Sequence, residues 1–365
     1  MNAEDDATNA PENGSVGVEP GGGGFYLRQD PFELRLLGYV QATGSVFDPT
    51  LSAPPSTTAF SIRRARLDFL VRFYEDFEFF LELDGAPGRT ALVLARLNWK
   101  LAGEALQLRA GKFISRFSTE NTRSSRSLDT AERYLALNSL FLLPALDTQF
   151  GVLAHGRLGS EQRLRWSVGV YNGNGKASDN LAENNDSKEI QAKLGYRVRE
   201  TLQASVSVDY SREEKQQLSL VDVGFNRFVT VPIRGDRFGV GASTAWQRGP
   251  WSVRAEGLGF RFDAVDQSTV GLYGGGVQPA LFLTGDHEEG VEVLLRLQTS
   301  YLDADTGSRG NALYAATPGV NWFVNPNVRL QVHGGLTYFN GASEQQGFDE
   351  SQLLPSLLTQ LQFKF

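Results

Sequence analysis

The chain contains no cysteine, which excludes a disulfide scaffold, thiol chemistry and cysteine-ligated metal, and which agrees with passage through an oxidising compartment. Long hydrophobic runs are missing as well. No stretch approaches the roughly 18 consecutive apolar residues of a membrane-crossing helix. The opening MNAEDDATNA has no apolar signal core, so an exported protein would be represented by its mature form. Basic excess is also absent: 35 Lys and Arg against 42 Asp and Glu give a net charge of -7, the wrong sign for a general nucleic-acid binder. The mean hydropathy of -0.27 resembles that of a soluble protein. Such averages miss membrane strands, because these alternate lipid-facing with lumen-facing residues.

What the chain has is alternation. Residues 1–24 are acidic, rich in Gly, Pro and Asn and end in GGGG, the composition of an unstructured tail. From Glu33 a two-residue period begins, with Leu34, Leu36, Val40 and Ala42 opposite Glu33, Arg35, Tyr39 and Gln41. In SIRRARLDFLVRF, Ala65, Leu67, Phe69, Val71 and Phe73 oppose Arg64, Arg66, Asp68 and Arg72, as in a strand wet on one face only. The pattern recurs to the C-terminus in about sixteen segments, within the range of outer-membrane barrels. A β-sandwich would have to bury polar faces carrying two or three charges each, which is costly. A water-filled lumen removes that cost, while lipid takes the apolar face. The expected fold is therefore an all-β transmembrane antiparallel barrel over residues 25–365.

Connection lengths agree with a barrel. Every second connection is short, as at Tyr74–Asp76, Ala102–Glu104, Arg248–Pro250 and Asn325–Asn327, while Ser45–Ala59, Asn174–Ser187, Ser211–Gly235 and Asn340–Leu354 are long. Barrels have short turns on the periplasmic side and longer loops outside, so both termini are expected in the periplasm. The longest insertion, residues 114–147, joins the fifth and sixth strands. It carries Arg116, Arg123, Arg126 and Arg133 among hydroxyls and amides, and a connection of that length is usually functional or disordered. Aromatics fall at strand ends, among them Phe73, Trp99, Trp166, Tyr171, Tyr196, Trp251, Trp322 and Tyr338, which suits interfacial girdles. The chain ends on Phe365, with Phe363, Leu361, Thr359 and Leu357 in phase. This resembles the C-terminal signature of bacterial outer-membrane proteins and implies recognition by the barrel-assembly machinery.

AGKFISRFSTEN with its Ser/Arg-rich continuation and ERY, the LTG after GLYGGG, and PGVNWFVNPNVRLQVHGGLTYF together resemble the phosphate-selective porin O/P family over Tyr26 to Phe365. The resemblance implies a sixteen-stranded barrel in the outer membrane, in contact with its lipid and lipopolysaccharide. It also implies a homotrimer whose third loop, here 114–147, folds inward to narrow the pore. No cofactor is implied.

Lumen-phase strand positions are richer in base than in acid. Arg64, Arg66, Arg72, Arg96, Arg109, Arg157, Arg163 and Arg165 join the four loop arginines as the expected pore-lining, anion-binding residues, and Lys193 and Arg197 share their phase. A ring of Arg or Lys favours anions. The bland alternative is that Asp68, Glu78 and Glu82 neutralise these arginines within the wall. Glu120, Asp129 and Glu132 leave the loop only slightly basic, unlike a dedicated phosphate filter, so general anion preference is expected over phosphate specificity. Against an enzyme, His155 and His333 have no local motif that joins them to a nucleophile. Asp286-His287-Glu288 lies on an extended turn and reads as a solvated turn rather than a metal site. A plugged or structural barrel is the remaining alternative to a diffusion porin for small hydrophilic solutes.

Overall fold

The computed structural model describes residues 14–19, 21, 23–46, 58–86, 88–134, 136–137, 146, 148–173, 187–213, 217–221, 228–264, 269–304, 311–340 and 351–365. Nineteen strands occur among them. A short hairpin comes first, β1 (Ser15–Glu19) and β2 (Gly24–Gln29). There follow β3 (Phe32–Val46), β4 (Thr58–Phe73), β5 (Phe77–Asp84), β6 (Ala91–Ala102), β7 (Leu106–Ile114), β8 (Thr148–Leu158), β9 (Leu164–Tyr171), β10 (Glu189–Arg199) and β11 (Leu202–Glu213). The rest are β12 (Gln217–Val221), β13 (Phe228–Arg248), β14 (Trp251–Ala264), β15 (Thr269–Gly285), β16 (Gly290–Ala304), β17 (Asn311–Asn325), β18 (Val328–Asn340) and β19 (Ser351–Lys364).

Sixteen of these, β3 to β11 and β13 to β19, pair antiparallel with their neighbours in chain order. The sheet closes where β19 pairs with β3, Phe363 opposite Val40 and Leu357 opposite Val46. Closure satisfies the strand edges, which lipid could not do. The side-chain distribution is inverted relative to a water-soluble core. Gln41, Asn321, Gln331, Gln362 and Arg296 are buried on the inner face, while Val152, Val206, Trp251, Leu336, Leu361 and Phe363 are exposed on the outer face. At the short-turn end Phe73 stacks on Phe77 at 5.1 Å and Phe77 on Trp99 at 5.7 Å.

The structure departs from the alternation at four places. Within the stretch 1–24 expected to be a tail, residues 15–19 form β1, paired with β2 from Ser15–Arg28 to Glu19–Gly24; SVGVE is a short alternating run obscured by the Gly-rich residues around it. Residues 1–13 lie outside the described residues. In the expected loop Ser211–Gly235, β12 pairs with the first part of β13, so a second hairpin forms there. Tyr171 is not a girdle residue: it is buried on the inner face with Phe113 and Leu153. Finally, the β3–β4 register slips between Gln41–Arg64 and Ala42–Ile62. The bulge inserts Arg63 as an extra residue and re-aims it, so that its guanidinium reaches Glu132.

Candidate functional site

The stretch between β7 and β8 is hydrogen-bonded to the inner wall along most of its described length. Its one helical turn, α1 (Thr119–Thr122), begins at Ser118, whose side chain accepts from the Asn121 N–H at 3.0 Å. The wall completes the cap. The Glu256 carboxylate of β14 accepts from Ser118 Oγ at 3.0 Å, from Thr119 N at 2.6 Å and from Glu120 N at 3.0 Å. A carboxylate at a helix start satisfies backbone donors that have no partner within the helix.

Further along, each described loop acid meets wall cations. Glu120 pairs with Arg296 at 2.9 Å, Asp129 with Arg254, and Glu132 with Arg63 at 2.6 Å and Arg64 at 3.7 Å. Burial alone would raise the pKa of Asp129, but Arg123 and Arg254 outweigh it and hold the carboxyl far below its usual range. Main-chain contacts add to the attachment. Arg329 donates to Leu128 O at 2.8 Å, Asn321 to Asp129 O at 2.7 Å, and the Ala131 N–H to His333 Nδ1 at 3.3 Å.

Shape also contributes. Gly274 and Gly276 of β15 lie under the loop, where an added Cβ would come within 2.4 Å of Ala136 Cβ and 2.5 Å of Tyr134 Cε1. The GLYGGG run thus forms a socket, with the Arg296 guanidinium 4.3 Å over the Tyr134 ring.

These contacts gather the loop against β14–β19, β3 and β4. On the other side a cavity of about 430 Å³ is bounded by β6, β7, β9–β11, β13 and the loop. Among its described lining residues are Arg96, Arg109, Arg116, Arg165, Lys193 and Arg197, and none of those described is acidic. Hydroxyls of Thr119, Ser205 and Ser243 line it too: Thr119 Oγ1 lies 2.7 Å from Ser243 Oγ and 3.3 Å from Ser205 Oγ, and Lys193 Nζ donates to Thr119 Oγ1 at 2.6 Å. Burial, then the positive charges of Arg96, Arg157 and Arg165, push the Arg116 guanidinium down to about 10, so it keeps its proton at neutral pH.

The twelve arginines singled out from the sequence therefore separate into groups. Arg96, Arg109, Arg116 and Arg165 come together in the large cavity. Among the described residues no carboxylate pairs with Arg109, Arg116 or Arg165, whereas Arg96 has Glu78 at 3.7 Å. Arg64 is buried against Gln41 and Glu132. Arg66 is clamped by Glu82 and by Asp84 at 3.1 Å, and Arg72 by Glu78 at 3.5 Å and Glu33 at 3.8 Å. In the loop, Arg123 pairs with Asp129 at 3.1 Å and Glu120 at 3.4 Å. Arg133 donates to Arg123 O at 2.7 Å and to Ser125 Oγ at 3.3 Å, a staple for the loop's own backbone.

Arg126 lines a smaller cavity of about 250 Å³ with Arg254, Arg329, Lys364 and Asp129. Arg157 and Arg163 sit near the turn Gly159–Arg163. Arg157 is half-exposed with Glu104 at 3.9 Å, and Arg163 is paired with Glu161 at 2.7 Å. Lys193 and Arg197 belong with the cavity group although only their phase marked them. Arg63 was missed; two adjacent arginines in an alternating strand were its available signal.

The two histidines meet amides. His155 Nε2 lies 2.8 Å from Asn98 Oδ1 and His333 Nε2 3.2 Å from Asn321 Oδ1. His287 sits edge-on to Phe282 at 4.7 Å and Phe323 at 5.2 Å, while Asp286 accepts from the Glu288 N–H of its own turn.

Comparison with known proteins agrees with this architecture. The sequence matches the family described as phosphate-selective porin O and P over residues 35–365. No curated protein sequence matches the chain significantly. Three solved structures share the fold. In-vitro folded OmpT, an outer membrane protein of Vibrio cholerae in a trimer form, superposes with a TM-score of 0.66 at 10% identity, covering 92% of this chain and 100% of that one. An anion-selective porin from Comamonas acidovorans gives 0.66 at 11% identity, with 92% and 100% covered. The outer membrane channel DcaP of Acinetobacter baumannii gives 0.65 at 14% identity, with 92% and 97% covered.

Proposed function

Since the chain belongs to the phosphate-selective porin O and P family, we propose that it is a passive outer-membrane porin that prefers small anions. Family and fold make it a channel protein of the outer membrane rather than an enzyme. The observation that carries the anion preference is the segregation of charge: among the described residues, six cationic side chains and no acidic one line the 430 Å³ cavity, while Glu120, Asp129 and Glu132 of the loop are matched with cations on the opposite wall. A lane of that kind raises the local concentration of anions over cations without bond chemistry. The loop sets the bore by occupying one side of the lumen.

The cations are spread over several strands and the loop, and the lane is larger than a compact oxyanion. This supports general anion preference over a phosphate filter. Both termini are assigned to the periplasm because the short turns share their end of the barrel. A homotrimer in lipid and lipopolysaccharide, inserted by the barrel-assembly machinery through Phe365, completes the proposal, with the trimer form of OmpT, a protein of the same fold, as support for the trimer.

The test is planar-bilayer conductance of the purified protein under a salt gradient, with phosphate as competitor. Open steps with an anion-directed reversal potential are expected, and phosphate should block no better than other anions of equal charge. Cation preference would overturn the charge argument; absence of conductance from well-folded protein would favour a plugged barrel.

A further inference from the structure

β1 falls in the stretch expected to be tail, yet with β2 it repeats the construction of the wall. β2 pairs with the start of β3, Phe25 opposite Leu36 and Gln29 opposite Phe32. That is the part of the β3 edge left vacant by β19, beyond whose end Phe365 bonds Gly38. The aromatic rings of Phe25 and Phe365 meet edge-on at 6.0 Å, so β2 continues the line of β19. Gly21, at the hairpin's tip, lies beside Pro326 of the β17–β18 turn.

The two faces also continue the wall. On one, Val16 opposes Leu27 and Val18 opposes Phe25. These four are among the exposed apolar residues, at 73%, 41%, 61% and 51%. They share the phase of Leu34 and Leu36 on β3 and of Val71 and Phe69 opposite these on β4. On the other face, Arg28 pairs with Glu33 at 3.6 Å and Arg35 with Glu19 at 2.5 Å, in the phase of the lumen.

An isolated two-stranded ribbon in water would gain little by exposing four apolar side chains on one side. Continuity with the outward face of β3 and β4 names a different solvent. We propose that β1–β2 is a membrane-seated extension of the barrel wall, its Val16, Val18, Phe25 and Leu27 face taking lipid in the interfacial zone of the leaflet on the short-turn side. The proposal rests on the barrel's outer-membrane placement and not on its solute, so a failure of anion selectivity leaves it standing.

The absence of cysteine allows a direct test. Single variants Val16→Cys, Val18→Cys and Leu27→Cys, with Ser15→Cys and Tyr26→Cys on the opposite face, are labelled with a small fluorophore and reconstituted into phosphatidylcholine vesicles. Folding of each is checked by conductance. Nitroxide lipids labelled at the headgroup or shallow in the acyl chain should quench the first three and spare the last two. Rapid reaction of positions 16, 18 and 27 with a membrane-impermeant maleimide, without lipid quenching, would place the hairpin in water and overturn the proposal. Protection from both probes would show a protein partner, such as a second copy of this chain, on that face and would equally overturn it.

Discussion

Arg296 of β16 and Glu120 of the loop form a 2.9 Å ion pair in which both side chains are buried. The same guanidinium donates to Glu132 O and Gln278 Oε1 and covers the Tyr134 ring, so one wall residue holds both limbs of the loop. Breaking a buried pair by removing one partner costs about 3–5 kcal/mol. The lower end applies because Arg123 still faces Glu120 at 3.4 Å. Arg296→Ala is therefore expected to loosen the loop without opening the barrel: single-channel conductance rises and becomes noisier, while the β-sheet circular dichroism is retained. A conductance trace identical to the parent would show that the loop is held without Arg296.

The glycine socket makes a steric counterpart. In Gly276→Val the new Cβ collides with Tyr134, and in Gly274→Val with Ala136. Each new Cβ also meets ladder backbone, Thr299 O at 2.8 Å from position 274 and Leu297 O at 2.7 Å from position 276, which no rotamer change relieves. Both variants should raise conductance in the way Arg296→Ala does. Gly257→Ala is the control, since an added Cβ there meets nothing within 4 Å and leaves the trace unchanged.

The barrel was legible in the sequence because one physical rule, lipid outside and water inside, writes itself into every second residue from Leu34 to Phe363. The loop's identity was legible from its place between the fifth and sixth strands. What could not be read was which lumen arginines are neutralised. Phase puts Arg66 and Arg109 on the same inner surface, but Arg66 faces Glu82 and Asp84 across a strand pair, whereas Arg109 has Asn98 and Leu153 for cross-strand neighbours. Pairing depends on register, and register is not local. Arg63 escaped for a related reason, because a bulge breaks the two-residue rule at the residue where it acts. The hairpin β1–β2 escaped because flanking glycines mask so short an alternation.

Glu256 offers a test of the loop's other attachment. Its carboxylate accepts three bonds at the start of α1. Glu256→Gln retains size but replaces one acceptor oxygen by a donor that faces N–H groups. The loss should be about 1 kcal/mol, the usual worth of a helix cap, which is enough to increase brief openings but not to release the loop. Flicker frequency in single-channel records measures it. A fully open, quiet channel would mean that Glu256 is the main anchor rather than one of several.

Arg66 and Arg109 differ in whether a carboxylate neutralises them. A unit charge about 4 Å from a passing ion in water is worth about 1 kcal/mol, or roughly fivefold in local concentration. The effect fades within about 10 Å at 0.1 M salt. Arg109→Ala, Arg116→Ala and Arg165→Ala each remove such a charge from a lane with no acid among its described lining residues. Each should move the reversal potential in a KCl gradient towards zero, more at low salt than at high salt, and the triple variant should move it furthest. Arg66→Ala instead strips the partner from Glu82 and Asp84. It leaves the lane's charges in place but frees two wall carboxylates, so its main signature should be lower thermal stability with a smaller change in selectivity. If Arg66→Ala erased anion preference while Arg109→Ala did not, ions would be passing along β4 and β5 rather than along the lane between the loop and β6–β13.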